Sequence, residues 1–215
     1  MKTFTAFLIV TFLTTGIYAQ KSNYKVFPFK SGVIEYKIEG KTKGTNIKYI
    51  EDYGYKQADV TNTVTKFFGQ KTIDNSTDIL IGPKIYAIDH EKNTLTKARN
   101  PVYETYANES GNYEELGIQA MDALGFKDTG ETGTVLGNKC TIWKGPLGEI
   151  WTWKGLALKT KTKLLGIKME ETAVKIDLDS KVSAGRFEIP SGLEEQKMPE
   201  GQEDIQGALN SLFGG

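Results

Sequence analysis

Few residues in this chain have side chains able to do covalent or metal chemistry. There is one histidine and one cysteine. His90 stands in "AIDHEKNT", a polar run that reads as a hairpin loop following a strand. As a general base it lacks a neighbouring nucleophile, and as a metal ligand it lacks a second imidazole or thiolate bunched around it. Cys140 falls in "NKCTIW", between a turn and an apolar strand, where a thiol is expected to be buried and inert. Being alone, it cannot close an intramolecular disulfide, so stability must come from packing. Asp177 and Asp179 have the spacing to share a cation, but no glycine-framed ligand loop follows, and they read as solvated edge charges. Apart from Gly214-Gly215, the 23 glycines stand singly, as turns between strands require, and form no phosphate-cradling loop. A glycosidase needs only two carboxylates, so a hydrolase remains a third reading, although no pair is marked out. The expectation is a protein that is not an enzyme, with no catalytic residue, no cofactor and no metal site.

What stands out instead is "EIWTWKGLALKTKTKLLGIKMEETAVKIDLD", from Glu149 to Asp179. Trp151 and Trp153 share one parity, while Leu156, Leu158, Thr160, Thr162 and Leu164 share the other. The change falls at Lys154-Gly155, where a glycine-based bulge would return both sets to a common face. After Leu165-Gly166 the chain turns and brings Ile167 and Met169 opposite that face. Lys159, Lys161, Lys163 and Lys168 take the other side, with Glu170 roughly opposite Lys161 as a cross-strand ion pair. Beyond Glu171, the residues Thr172, Val174, Ile176 and Leu178 read as one alternating strand. The expected hydrophobic lining is therefore Trp151, Trp153, Leu156, Leu158, Leu164, Ile167 and Met169, with Trp143 joining them.

The elements that must position these residues are mostly strands. "GVIEYKIEG" alternates Ile34, Tyr36 and Ile38 against Val33, Glu35, Lys37 and Glu39. "GTNIKYIEDYG" sets Ile47 and Tyr49 against Lys48 and Ile50, and Gly82-Pro83 cuts the later apolar run into two strands. The spacing predicts about nine to eleven strands in an antiparallel meander that closes or curls. One segment breaks the rule. "NYEELGIQAMDALGF" carries Tyr113, Leu116, Ala120, Met121 and Leu124 on a helical stripe, with Asn112 as N-cap and Gly125 as stop, which predicts a helix over 112–124.

The chain begins "MKTFTAFLIVTFLTTGIYAQ", with Lys2, an apolar run from Phe4 to Leu13, and a small residue at Ala19. This is the layout of a secretory signal peptide, and the run is shorter than the roughly 20 residues that span a bilayer. Residues 1–19 read as the signal, 20–195 as a single β-rich domain, and 196–215 as a tail. The tail's Ile205, Leu209, Leu212 and Phe213 line one face of a short amphipathic helix that is read as disordered, a lid or a weak surface anchor. No cysteine stands at the cleavage point to carry a lipid, so a periplasmic or secreted location without a transmembrane segment is expected. Without residues 1–19 the chain has 26 basic and 27 acidic residues, a balance that gives no global attraction to nucleic acid. Asn75-Ser76-Thr77 and Asn108-Glu109-Ser110 match glycosylation acceptors, which matter only in a eukaryotic source.

Four segments carry a family resemblance: Ser31–Ala58, "LGFKDTGETGTVLGNKCTIWK", the stretch from Glu149 to Leu178 with its Trp-x-Trp-Lys-Gly-x-x-Leu-Lys pattern, and "FEIPSG". Together they resemble an uncharacterised secreted domain family of Gram-negative exported proteins. Its layout is similar to that of the LolA/LolB-like lipoprotein carriers, which implies an antiparallel curled sheet or half-open barrel with one or two short helices packed on it. The carriers' Arg-Pro strand motif has no counterpart, since neither Arg99 nor Arg186 precedes a proline. The leading expectation is an exported soluble binding protein that holds a lipid or another hydrophobic small molecule in the concave face. The alternative is an envelope structural or protein-interaction module with a filled core, contacting an envelope protein through its lysine face.

Overall fold

The computed structural model describes residues 25–67, 69–100, 103, 117–118, 121–122, 124–164 and 167–197. Twelve strands occupy most of them: β1 (Gly32–Gly40), β2 (Thr42–Glu51), β3 (Lys56–Phe67), β4 (Gln70–Ile81), β5 (Lys84–Asp89), β6 (Thr94–Arg99), β7 (Lys127–Val135), β8 (Asn138–Gly145), β9 (Gly148–Trp153), β10 (Leu156–Leu164), β11 (Ile167–Leu178) and β12 (Glu194–Gln196). They form one sheet in the order β12-β6-β5-β4-β3-β2-β1-β11-β10-β9-β8-β7. Two meanders, β1 to β6 and β7 to β11, thus run outward from a central seam where β1 pairs with β11. Every pairing is antiparallel except that of β12 with β6.

The alternation of apolar residues works as expected in β1, where Ile34, Tyr36 and Ile38 are buried. Gly82-Pro83 makes the turn between β4 and β5, with Gly82 at φ +52. The expectation of a curled sheet or half-open barrel is not met. The sheet is open, with β7 and β12 as its two edges, and it is not strongly curled, so the LolA-like and half-barrel description does not hold. Register shows why. Residues directly opposite on paired strands point to the same side. Ile50 faces Gln57 whereas its neighbour Tyr49 faces Ala58. Ile50 belongs to a buried cluster with Ile34, Tyr36, Leu158, Phe27 and Phe29, while Tyr49 packs against a second one with Ala58, Ile79, Ile88, Leu95 and Phe187. The two cores lie on opposite faces of the sheet, where a half-barrel would gather them into one interior.

Each core is completed by a segment without strand periodicity. On one face Phe27 and Phe29 stack with centroids 5.2 Å apart. Their segment is tied down by the amides of Val26 and Phe27, which donate to the carbonyl of Tyr53 at 2.9 and 3.2 Å. On the other face the chain after β11 supplies Val182, Phe187, Ile189 and Leu193, with a 3-10 turn at Ala184–Phe187. Of the helix expected over 112–124, Gly117, Ile118, Met121 and Asp122 are helical, and most of the remainder lies outside the described residues. The expected signal segment, 1–19, and most of the expected tail, 198–215, also lie outside them.

Candidate functional site

The stretch from Glu149 to Asp179 spans three strands. Lys154 and Gly155 are the two central residues of a tight hairpin, at φ +51 and +78, the twist that a two-residue connection between strands needs. The expected bulge at Gly155 is therefore a turn, and the register shift falls between Ala157 and Lys159 instead. A second shift, between β1 and β11 at Glu35/Tyr36, breaks the expected alternating run and leaves Val174 50% exposed while Ala173 is buried. Leu164 is the register partner of Ile167, and residues 165 and 166 between them lie outside the described residues.

The predicted lining residues are only partly brought together. Leu156 and Leu158 are buried in the core beneath Phe27 and Phe29, and Trp151 and Trp153 pack against that core from its margin. Trp143 is buried but alternates with Ile142, the residue opposite Trp151, so it points to the other side of the sheet. There its indole Nε1 donates to Thr152 Oγ1 at 2.9 Å. Leu164 and Ile167 pair at the end of the β10–β11 hairpin, and their side chains lie outside the described residues. Met169 is two positions further along and lines an open recess of about 370 Å³ with Glu39, Lys161, Lys163, Lys168 and Glu170.

Trp151 does not stand opposite the lysines. It is the cross-strand partner of Lys159, and the ammonium groups of Lys159 and Lys161 sit 5.4 and 5.3 Å from its ring centre. Its Nε1 approaches Glu149 Oε2 at 3.4 Å, and Lys161 donates to the same oxygen at 3.0 Å. That hydrogen bond from Lys161 holds the Glu149 carboxyl below its ordinary range. Glu170 is opposite Lys161 in register but pairs with Lys159 across the diagonal. On the same face Lys175 pairs with Glu35 and Lys37 with Glu39. The lysine face is thus a platform of ion pairs around one tryptophan, with Val174 and Ile47 bordering a second recess of about 420 Å³.

Sequence reading missed a polar row on the opposite face, because each member is a single residue of an ordinary alternating strand. Register brings Lys48 beside Asp59 and Asp59 beside Asp78. Lys48 Nζ donates to Asp59 Oδ2 at 2.6 Å, and its charge offsets only part of what acts on Asp78. The crowding of that face, followed by the charges of Asp59 and Asp74, pushes the Asp78 carboxyl up to about 6. Water still reaches Asp78, which screens part of the repulsion. Burial likewise raises the Glu171 carboxyl, with Lys48 opposing the rise and Asp59 adding to it. His90 is exposed in its turn, with Nε2 2.8 Å from Thr77 Oγ1, and Cys140 is fully buried. Among the described residues, no group of three potential ligands is placed to hold a metal ion.

No family model and no curated protein matches this chain. Among solved structures, it is similar to an uncharacterized conserved protein from Thermus thermophilus, at 5% identity over 82% of this chain and 95% of that one, with a TM-score of 0.52. That likeness concerns the fold alone. A structure of PNGF-II aligns at 12% identity over 80% of this chain, with a TM-score of 0.42, and this chain spans 31% of its length. A chain of the Pseudomonas aeruginosa MucA/MucB complex aligns at 8% identity over 85% of this chain and 66% of that one, also with a TM-score of 0.42. Both are too distant for any functional argument. The chain is a β-rich domain, and among its described residues no helix is long and apolar enough to cross a membrane.

Proposed function

We propose that this chain is an interaction module of the cell envelope, exported by its leader, which works by presenting a surface to a protein partner and not by enclosing a small molecule. One observation carries the reading: Phe27 and Phe29 share a buried core with Leu156 and Leu158, two of the residues expected to line a hydrophobic ligand. Burying each ring contributes about 1.5–3 kcal/mol, which a ligand would have to replace. The contact surface in this reading is the ion-paired platform around Trp151 and Val174. A partly buried aromatic bordered by charge pairs offers apolar area and orientation without requiring lysines to be stripped of their counter-charges. The resemblance to an exported domain family is consistent with this reading and is itself a proposal.

A photocrosslinking residue at Val174 tests the reading. It should join the chain to a discrete envelope protein, and Trp151→Glu should abolish the adduct while the fold is retained. A crosslinker at Leu136, in the turn between β7 and β8 and 51% exposed, serves as the control. Equal labelling from both positions, or an adduct indifferent to Trp151→Glu, would sink the proposal.

A further inference from the structure

At one edge of the sheet β6 has β12 beside it, with Lys97 and Glu195 paired across the join. At the other edge, among the described residues, no strand lies beyond β7. The two halves of β7 differ. Its register with β8 slips between Asp128 and Thr132, and the amides of that half find partners within the strand. Gly130 donates to Asp128 Oδ1 at 2.8 Å and Glu131 to Thr129 Oγ1 at 3.1 Å. The other half, from Thr132 to Val135, pairs regularly with β8. Its turn, Leu136 and Gly137, lies at φ +51 and +78, which makes Val135 and Asn138 a hydrogen-bonded pair. Such pairs alternate with non-hydrogen-bonded ones along an antiparallel ladder, so Thr132 and Thr134 turn their N–H and C=O groups outward. Both residues are exposed, and among the described residues nothing pairs with those groups.

Open edges are ordinarily blunted by charge or proline, and Thr132-Gly133-Thr134 has neither. Trp151 marks the same spot. A Cβ on Gly133 would stand 2.2 Å from Trp151 Cζ3 and 2.7 Å from Cη2, so the indole, rooted in β9, reaches across β8 and lies against the edge strand. Thr-Gly-Thr is a palindrome, which makes its outward groups complementary to themselves. In a two-fold antiparallel pairing centred on Gly133, Thr132 of each copy exchanges both hydrogen bonds with Thr134 of the other. The two Gly133 residues then face each other at about 4.5 Å between Cα atoms, the spacing of a non-hydrogen-bonded pair. Opposite residues point to one side, so the two indoles meet over a gap that no side chain fills. The pairing also stops where it must. It runs from Glu131 to Val135, and beyond it the turn at Leu136 of one copy meets Gly130 of the other, in the bulge where the strand bends aside. A strand of another protein has no reason to match both limits, whereas a second copy matches them by symmetry.

We infer that the β7 edge is the interface of a homodimer, in which Thr132-Gly133-Thr134 of two copies pair about a two-fold axis and continue the sheet. The contact does not depend on the platform's protein partner, although it sets two Trp151 platforms side by side. Sedimentation velocity on the full chain should show a monomer–dimer equilibrium that moves with concentration. Thr134→Pro removes an outward amide and leaves the hydrogen bonds of β7 to β8 in place, so it should weaken the dimer at least about tenfold with an unchanged circular dichroism spectrum. A disulfide trap reads the register without that variant. Thr132→Cys mixed with Thr134→Cys should oxidise to a mixed dimer, because hydrogen-bonded partners stand about 5.5 Å apart, within disulfide reach. Neither cysteine variant should trap with itself, and Cys140, being buried, stays out of the reaction. A monomer at every concentration, a dimer that Thr134→Pro leaves intact, or equal trapping of Thr132→Cys with itself and with Thr134→Cys would each overturn the inference.

Discussion

Leu158 has no exposed surface, and the rings of Phe27 and Phe29 belong to the same cluster. Truncation to alanine removes buried methyl groups and leaves a void, so Leu158→Ala should cost about 2–5 kcal/mol, measured as a shift in the denaturant midpoint at constant slope. A loss below about 1 kcal/mol would mean that this core is loosely filled. Asp78 gives the residue scale a pH signature. Its carboxyl takes up a proton at about 6 in the folded chain and near 3.8 when unfolded, so between those values the folded state binds more protons. Stability contributed by this group is present below about pH 4 and is lost as pH rises through 6. Asp78→Asn should therefore stabilise the protein at pH 7 and flatten the pH dependence of unfolding between 4 and 6. An NMR titration that puts the Asp78 midpoint near 4 would contradict the assigned crowding. No residue reading could have found this group, because its partner Asp59 is placed beside it only by the β3–β4 register.

At the scale of elements, the β9–β10 hairpin decides where the tryptophans lie. A two-residue turn and a one-residue bulge shift strand parity in the same way, so counting alternate residues from Trp153 to Leu156 cannot separate them. Turn chemistry could, but Lys-Gly is a weaker signal for positive φ at both positions than Asn-Gly or Asp-Gly. Gly148 tests the pairing of these strands. It sits at φ +135, and a Cβ there would lie 1.8 Å from the carbonyl oxygen of Lys161. Gly148→Ala should open the start of β9, lower stability by about 1–3 kcal/mol and loosen amide protection at Lys161 and Lys163. Gly137→Ala, with the same sign of φ but open space around it, should cost less. Equal costs would show that backbone preference, and not the close approach of β10, constrains Gly148.

For the whole molecule, the strand pattern was legible while the layer arrangement was not. Alternation in β1 and β2 assigned local faces correctly, and Gly82-Pro83 placed a turn, because those signals depend on neighbouring residues. The pairing of β1 with β11 joins residues more than a hundred positions apart, and nothing in alternation states whether such a seam ends in an open sheet or a barrel. The coverings were hidden for a related reason. Phe27 and Phe29 flank Pro28 ahead of the first strand, and the segment from Val182 to Leu193 has no strand period, so neither announced that it would cap a face. Phe27 and Phe29 share one buried core with Leu156 and Leu158, two of the residues expected to line a ligand. Saturable uptake of an environment-sensitive apolar dye by the folded protein tests this most directly. The filled core predicts no uptake by the native chain and new uptake by the Phe27→Ala/Phe29→Ala variant. Saturable uptake by the native chain that Trp153→Lys abolishes without unfolding it would contradict the account.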